Sequence, residues 1–509
     1  MVEEGCAGNE PRRQHSSRDF GPRVVLQSCR FGGVEEVSVQ SANLSDMTVA
    51  RASELIQRRA VSPLELTQQY LERIERLNPR LNAYVTVTAE RALADARRAT
   101  EEIAAGQSRG PLHGVPIGLK DLYDTAGIPT EGGAKILAGR VPSQDCTVAR
   151  KLREAGTTLL GKLNTHELAW GTTTNNPYTG ATHNPWNLDY VPGGSSGGSG
   201  AAIAAGLATA TMGTDTGGSI RIPAAWCGVV GLKPTYGRVS KAGVLPLSWL
   251  YDHPGPITRT VEDAAMVLQA IAGYDPADHS TVRTAVDDYL SGLRGGARGI
   301  RVGVPRSFFF DLLDDDVRAA VEEALRVLRG LGADVRDVEI PALETLRAAQ
   351  FAVAVAESKE YHLEALRTRP QDFGPDLQAI LLPDAVDGLT LAAALRARHS
   401  VIETARQILE EVDVLITPTM SSPALPIGEK TVRYGDQEES LLLAAIRLTL
   451  PFNQLQFPAI SVPCGFSRLN LPIGLQIAGR PFDEAMVLRV GHAYEQATDW
   501  HLRHPAGLG

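Results

Sequence analysis

Two clusters of glycine and serine are the stretches of this chain in which side chains could do chemistry. The first cluster runs from residue 193 to 199 and the second from 216 to 219. Glycine is kept in a folded protein where the backbone turns sharply or comes close to another group. Because a serine follows each glycine pair, we interpret that group as a reacting carbonyl. The apolar stretches beside the second cluster argue against a flexible linker.

A serine hydroxyl is a poor nucleophile unless a neighbouring group takes its proton. None of the eleven histidines lies in a supporting motif, so the natural base is a lysine kept neutral by burial. Lys120 ends the apolar run 115–119, where desolvation would lower its pKa. The ordinary alternative is an exposed lysine at the end of a strand. The two serine clusters lead us to favour Lys120 as the base.

Three familiar motifs are present only in part. Residues 194–198 resemble the G-x-S-x-G turn of α/β-hydrolases, but no histidine is placed to serve it. Residues 156–162 resemble a phosphate loop, but Leu163 stands where serine or threonine should bind magnesium. His166 and Glu167 lack the second histidine of a zinc-binding helix. We therefore expect neither a metal nor a cofactor.

The bulk composition excludes several classes of partner. Of the 509 residues, 43% are hydrophobic and 21% are charged, which is ordinary for a soluble globular protein. The formal charge of −9 argues against nucleic acid or an anionic membrane as partner. Five dispersed cysteines fit a reducing compartment. Without an apolar run of 18 residues, the sequence predicts no transmembrane helix and a cytoplasmic location.

The segments around the candidate residues predict an α/β fold. The pattern turns helical from Thr48, and at Ser62 a serine cap precedes proline at the first helical position. From residue 112 onward, short apolar strands alternate with helices. The predicted strands are 115–121, 157–160, 301–304 and 334–340, and the predicted helices between and after them include 146–154, 260–272 and 314–331. This alternation predicts a mixed, twisted β-sheet covered by helices on both sides.

We expect one large domain preceded by an extension. Residues 1–46 differ from the rest in composition and are predicted to be poorly ordered, although an arm packed on the body is the alternative. Residues 47–509 form the predicted domain. Within it, residues 110–275 hold the candidate chemistry, and residues 342–440 are predicted to be a mostly helical pocket wall or lid.

Three segments resemble the signature blocks of the amidase signature hydrolases: Gly118–Asp121, Gly193–Gly198 and Asp215–Arg221. Ser219 follows Ser195 by 24 residues, a spacing that also resembles this family. The likeness continues through residues 228–234 and 475–481 and covers about 47–505. The resemblance implies the amidase signature fold and a serine hydrolase that works through an acyl-enzyme.

The resemblance also implies a role for each candidate residue. Ser219 would attack the carbonyl, and Ser195 would pass its proton to Lys120. The peptide bond between Gly194 and Ser195 would be cis. The oxyanion hole would be formed by backbone N–H groups, here those of Thr216, Gly217, Gly218 and Ser219. Ser196 and Ser199 would be structural hydrogen-bonding groups, and Asp215 and Arg221 a supporting network.

Two subclasses of the family remain open as the function. One is a free-standing amidase, and the other is the amidotransferase subunit that releases ammonia from glutamine beside partner subunits in transfer-RNA charging. Residues 449–455 resemble the free-standing group, and no acidic residue stands there to hold a glutamine amino group. Asp413 and nearby arginines keep the glutamine enzyme open. We favour the free-standing amidase, since a charged substrate needs matched charges.

The candidate pocket residues are apolar or neutral: Trp170, Gly171, Thr172, Tyr178, Leu377, Ile380, Leu381, Phe452 and Leu455. They favour a neutral, fairly hydrophobic amide, although several would serve equally well as core residues. Carbamates (urethanes) and esters are further candidate substrates, because the same serine and oxyanion hole would serve for their cleavage. A non-catalytic relative that only binds an amide is a further alternative, but such a relative would be expected to lose a triad member. The sequence leaves a homodimer open.

Overall fold

The structure is a computed structural model that describes residues 44–384 and 386–508. The predicted extension, residues 1–46, lies outside the described residues except for the short 3-10 helix Leu44–Asp46. No helix among the described residues is both long and apolar enough to cross a membrane.

Helices make up much of the described chain. In chain order they are α1 Val49–Gln57, α2 Pro63–Leu81, α3 Ala89–Ala104, α4 Thr147–Glu154, α5 Gly197–Ala204, α6 Arg221–Cys227, α7 Val261–Ile271, α8 Arg306–Phe309, α9 Asp315–Gly330, α10 Glu344–Tyr361, α11 Leu363–Thr368, α12 Pro375–Leu381, α13 Gly388–Glu411, α14 Leu441–Arg447, α15 Leu450–Gln454 and α16 Glu484–Glu495. The predicted start of α2 is confirmed: Ser62 Oγ accepts from the Glu65 N–H at 3.1 Å, and the Glu65 carboxylate accepts from the Ser62 N–H at 2.9 Å.

The strands are β1 Tyr84–Val87, β2 Pro116–Lys120, β3 Thr158–Leu163, β4 Asn175–Asn176, β5 Gly180–Ala181, β6 Ala210–Asp215, β7 Val230–Lys233, β8 His253–Thr258, β9 Arg301–Pro305, β10 Asp334–Val338, β11 Val414–Pro418, β12 Thr431–Tyr434, β13 Gln437–Ser440, β14 Ala459–Phe466 and β15 Pro472–Gly479. Eleven of them form one sheet in the order β1-β3-β2-β6-β8-β7-β14-β15-β11-β9-β10. Parallel and antiparallel pairs both occur in it. The predicted mixed sheet flanked by helices is therefore confirmed.

Two central strands end at the same edge of this sheet, and candidate residues lie at or just after their ends. Strands β2 and β6 are parallel neighbours, with Leu119 opposite Met212. The carboxyl ends of parallel neighbours meet at the same edge of a sheet. Lys120 ends β2, and the second glycine cluster follows directly from Asp215 at the end of β6. The topology thus explains why residues distant in sequence meet.

The apolar segment 201–212, between the two glycine clusters, contains both helix and strand. Helix α5 begins within the first glycine cluster, and every one of its residues is buried. A helix made of small residues without a polar face is the type found inside a core. The chain then turns into β6, which is also buried along its length.

Residues 342–440 contain α10 to α13 in succession over their first part. The second part differs, because β11 joins the main sheet and β12 and β13 form a separate two-stranded sheet. This hairpin precedes α14.

Candidate active site

Lys120 is completely buried. Its Nζ lies 2.7 Å from Ser195 Oγ and donates to Thr214 Oγ1 at 2.8 Å. Burial lowers the pKa of Lys120 to about 7, although Asp252 and Asp215 act in the opposite direction. Near neutral pH a substantial fraction of this amine is therefore unprotonated and able to accept a proton.

The peptide bond between Gly194 and Ser195 is cis. Gly194 is required by its surroundings, because a Cβ there would lie 2.7 Å from the carbonyl carbon of Thr172 and from the nitrogen of Thr173. The first glycine cluster therefore packs its backbone directly on the backbone of residues 172–174. Further along the cluster, Ser196 Oγ donates to the Thr214 carbonyl at 3.2 Å and Ser199 Oγ to the Met212 carbonyl at 3.1 Å.

The second glycine cluster has its carbonyl oxygens satisfied and its N–H groups free. The Asp215 carbonyl accepts from Asn453 Nδ2 at 3.0 Å, and the Thr216 carbonyl accepts from Gln350 Nε2 at 2.9 Å. The Gly217 carbonyl accepts from Thr449 Oγ1 at 2.6 Å, and the Gly218 carbonyl accepts from the Ile222 N–H at 2.7 Å. The N–H groups of Thr216, Gly217, Gly218 and Ser219 donate to no acceptor within the described part of the chain. In a trans peptide the C=O and N–H point in opposite directions. Four adjacent donors are thus left available to a ligand oxygen, as an oxyanion hole requires.

An ion pair between Asp215 and Arg221 anchors this cluster. Arg221 Nη2 lies 2.9 Å from Asp215 Oδ1, and both side chains are completely buried. Burial alone would raise the pKa of Asp215, but the charge and hydrogen bonds of Arg221 hold it well below its usual range. Arg221 also donates to the Gln476 side chain at 2.6 Å and to the Thr449 carbonyl at 2.8 Å.

Arg221→Met should destabilise the fold strongly, because it leaves the Asp215 carboxylate charged and unpaired inside the protein. Breaking one partner of a buried pair costs about 3–5 kcal/mol. Urea denaturation followed by fluorescence would measure the change in the free energy of unfolding. Arg51→Met is the matched control: its ion pair with Glu54 is exposed, so the substitution should change stability little. Equal effects of the two substitutions would contradict the anchoring role.

A cavity opens beside Ser219, and no residue that lines it is charged. The lining residues are Ala169, Trp170, Gly171, Thr172, Thr216, Gly217, Ser219, Leu247, Gln350, Phe351, Ala354, Leu442 and Ile446. Three of the predicted pocket residues are in this set: Trp170, Gly171 and Thr172.

The other six predicted pocket residues lie elsewhere. Leu377, Ile380 and Leu381 pack in a hydrophobic cluster that also contains Trp170, and they are not among the residues that line the cavity. Tyr178 is 39% exposed and donates its hydroxyl to the Asp372 carbonyl. Phe452 and Leu455 are buried in the main core, where the Phe452 ring stacks on Phe309.

The sequence reasoning missed the cavity residues contributed by two helices. Gln350, Phe351 and Ala354 lie on one face of α10, and Leu442 and Ile446 on one face of α14. The spacing of three residues from Phe351 to Ala354 and of four from Leu442 to Ile446 is a signal of a shared helix face. Nothing in the sequence showed that these two faces meet the glycine cluster rather than the core.

His166 and Glu167 sit between the active site and the helical region. The His166 N–H donates to the Ser195 carbonyl at 3.1 Å, and burial lowers the pKa of this imidazole to about 4. Burial raises the pKa of Glu167 to about 7. Both carboxylate oxygens of Glu167 accept from the Gly374 N–H, at 3.1 and 3.0 Å. Glu167 therefore ties the segment before Trp170 to the start of α12.

The chain is similar to known proteins along most of its length. The family described as Amidase matches residues 65–488. The chain is 42% identical over 485 residues to a glutamyl-tRNA(Gln) amidotransferase subunit of Geobacter metallireducens, covering 90% of this chain and 99% of that protein. It is 43% identical over 489 residues to the like-named subunit of Halorhodospira halophila, covering 91% and 99%. A bacterial aryl acylamidase structure, described as belonging to the amidase signature enzymes, superposes with a TM-score of 0.84 at 29% identity, covering 91% of this chain and 98% of the other.

Proposed function

Since the chain belongs to the amidase signature family, we propose that it hydrolyses an amide C–N bond with Ser219 as nucleophile. The observation that carries this proposal is the contact of a buried Lys120, with a pKa of about 7, to Ser195 at 2.7 Å. A serine hydroxyl beside a neutral amine is chemically suited to passing on a proton from an attacking hydroxyl.

In the proposed reaction, Lys120 takes the proton of Ser195 while Ser195 takes the proton of Ser219. The Ser219 oxygen then bonds to the substrate carbonyl carbon, and the negative oxygen is stabilised by the free N–H groups of residues 216–219. The C–N bond breaks as the proton returns through Ser195 to the leaving nitrogen. Water attacks the resulting ester by the same route and releases the acid, so the enzyme is regenerated.

The names of the curated relatives support glutamine as the substrate of this chain. These relatives are named as amidotransferase subunits and match about nine tenths of this chain. Their names support the glutamine-hydrolysing alternative better than the free-standing amidase that the sequence alone favours. With glutamine as substrate, we propose that the chain releases ammonia as one subunit of a larger assembly.

A neutral amide is the second candidate, and the cavity supports it. Glutamine carries an ammonium and a carboxylate, and burying either without a partner is unfavourable. The cavity beside Ser219 is lined by uncharged residues, with Trp170, Phe351 and Ile446 among them. The structurally similar aryl acylamidase acts, by its name, on such substrates. None of the relatives described above is named for carbamate or ester cleavage, so that expectation gains no support from them.

A comparison of two substrates distinguishes these candidates. We expect purified protein to release ammonia from glutamine, measured with a coupled dehydrogenase assay, and Ser219→Ala to abolish the release. The parallel assay follows 4-nitroaniline release from 4-nitroacetanilide. A kcat/KM for the anilide well above that for glutamine would make the protein a free-standing amidase. Turnover of either substrate that persisted in Ser219→Ala would contradict the assigned nucleophile.

A further inference from the structure

The Thr216–Gly217 peptide is held in place by a side chain from a distant helix. Gln350 of α10 donates from Nε2 to the Thr216 carbonyl at 2.9 Å. Its Oε1 accepts from Gln454 Nε2 at 3.0 Å, and Gln454 donates in turn to the Leu346 carbonyl at 3.2 Å. Gln350 is 6% exposed, and it lines the cavity beside Ser219. Its amide is thus fixed at both ends inside the candidate site.

The steric surroundings of Gly217 do not fix this peptide by themselves. A Cβ added at Gly217 would find its nearest neighbour, Ile446 Cγ2, at 3.7 Å, which is ordinary contact. Gly218 differs, since a Cβ there would lie 2.2 Å from Thr449 Oγ1. Glycine permits wide backbone rotation, so at Gly217 the hydrogen bond from Gln350, rather than a side chain on that residue, restrains rotation of the Thr216–Gly217 peptide. A turned peptide would present its carbonyl oxygen where the Gly217 N–H should be, and that oxygen would repel a developing oxyanion.

We propose that Gln350 is a positioning residue that selects the orientation of the Thr216–Gly217 peptide in which the Gly217 N–H serves the oxyanion hole. This inference rests on the proposed serine chemistry. Helix α10 also supplies Phe351 and Ala354 to the cavity wall. The same helix therefore lines the cavity and holds the peptide whose N–H is one of the proposed oxyanion donors.

The test uses a reagent that does not depend on knowing the natural substrate. A small alkyl fluorophosphonate is attacked by Ser219: the O–P bond forms, the P–F bond breaks, fluoride leaves, and the serine proton passes to Lys120. Negative charge grows on the phosphoryl oxygen, as it does on an amide oxygen. Gln350→Met removes the amide donor at nearly constant length. We expect the inactivation rate constant to fall by about 10- to 100-fold, somewhat less than for loss of an oxyanion donor outright.

Gln378→Met is the matched control. Gln378 of α12 also donates its side-chain amide to a backbone carbonyl, that of Phe373, at 2.7 Å, but it is not one of the residues that line the cavity. Its inactivation rate should equal that of the unmodified protein. Similar losses in both variants would show a general effect on the helical region and would overturn the proposal.

Gln350→Glu gives a second readout that a purely structural role would not produce. The glutamate keeps an acceptor for Gln454 but lacks the donor to Thr216 until it is protonated. Its inactivation rate relative to the unmodified protein should therefore rise as the pH is lowered. A ratio independent of pH, or a rate in Gln350→Met equal to that of the unmodified protein, would refute the role of Gln350 while leaving the hydrolase proposal intact. Absence of labelling at Ser219 in the unmodified protein would instead refute the hydrolase proposal itself.

Discussion

Ser219→Ala should lower kcat by roughly four to six orders of magnitude, because removing the nucleophile of a serine hydrolase leaves only binding and the oxyanion hole. The variant should also lose all covalent labelling by a fluorophosphonate, as read by intact-mass spectrometry. The fold should survive, since a side chain smaller by one hydroxyl fits the same space beside the cavity.

Ser199→Ala is the matched serine-to-alanine control for this experiment. Ser199 lies in the first glycine cluster and donates to the Met212 carbonyl at 3.1 Å, away from the cavity wall. It should keep most activity and lose a little stability, about 1 kcal/mol for one buried hydrogen bond. If Ser199→Ala were as inactive as Ser219→Ala, hydroxyl loss in this region would be acting through packing, and the assigned nucleophile would be wrong.

Lys120→Met should cause the second large loss, because it removes the one amine that contacts Ser195 Oγ in the described chain. In the unmodified protein, kcat/KM should rise with pH through about 7 and then level off. The sign follows from the chemistry: the protonated amine, present below its pKa, cannot accept a proton, whereas the neutral amine above it can. The measured pKa should match the value of about 7 that burial gives this lysine.

Two variants make the pH test specific to Lys120. Lys120→Arg should remain inactive at every pH, because a guanidinium stays protonated. Glu167 also has a pKa of about 7, so Glu167→Gln must be measured beside it. The rise through pH 7 should persist in Glu167→Gln. If that rise disappeared while activity remained, the titrating group would be Glu167 and the assignment of Lys120 as the base would fall.

The candidate residues could be found from the sequence because they belong to continuous segments with distinctive composition. Gly194 is required by a close backbone approach, and the run from Asp215 to Arg221 carries its own ion pair. The mixed sheet was predictable for a similar reason, since each strand shows its character locally. Such features need no knowledge of how remote segments pack.

The cavity wall was much less predictable, because it depends on contacts between segments far apart in the chain. Phe452 was an apolar candidate for the pocket wall, yet its ring stacks on Phe309 in the core. Gln350 and Ile446, which do line the cavity, belong to helices whose sequences carry no sign of what they face. A neutral glutamine in a helix is usually solvent-exposed, so nothing in the sequence indicated that Gln350 lies in the cavity wall.

The free N–H groups of residues 216–219 have a consequence for how such an enzyme changes over generations. Backbone amides are present whatever the side chains are, so most mutations cannot delete them. The walls formed by α10 and α14, by contrast, consist of side chains that a single mutation can exchange. These backbone donors are therefore lost to few mutations, whereas the side chains of the cavity wall can change quickly. Among descendants of one ancestor, high overall sequence identity would then indicate shared oxyanion-binding groups more reliably than a shared substrate.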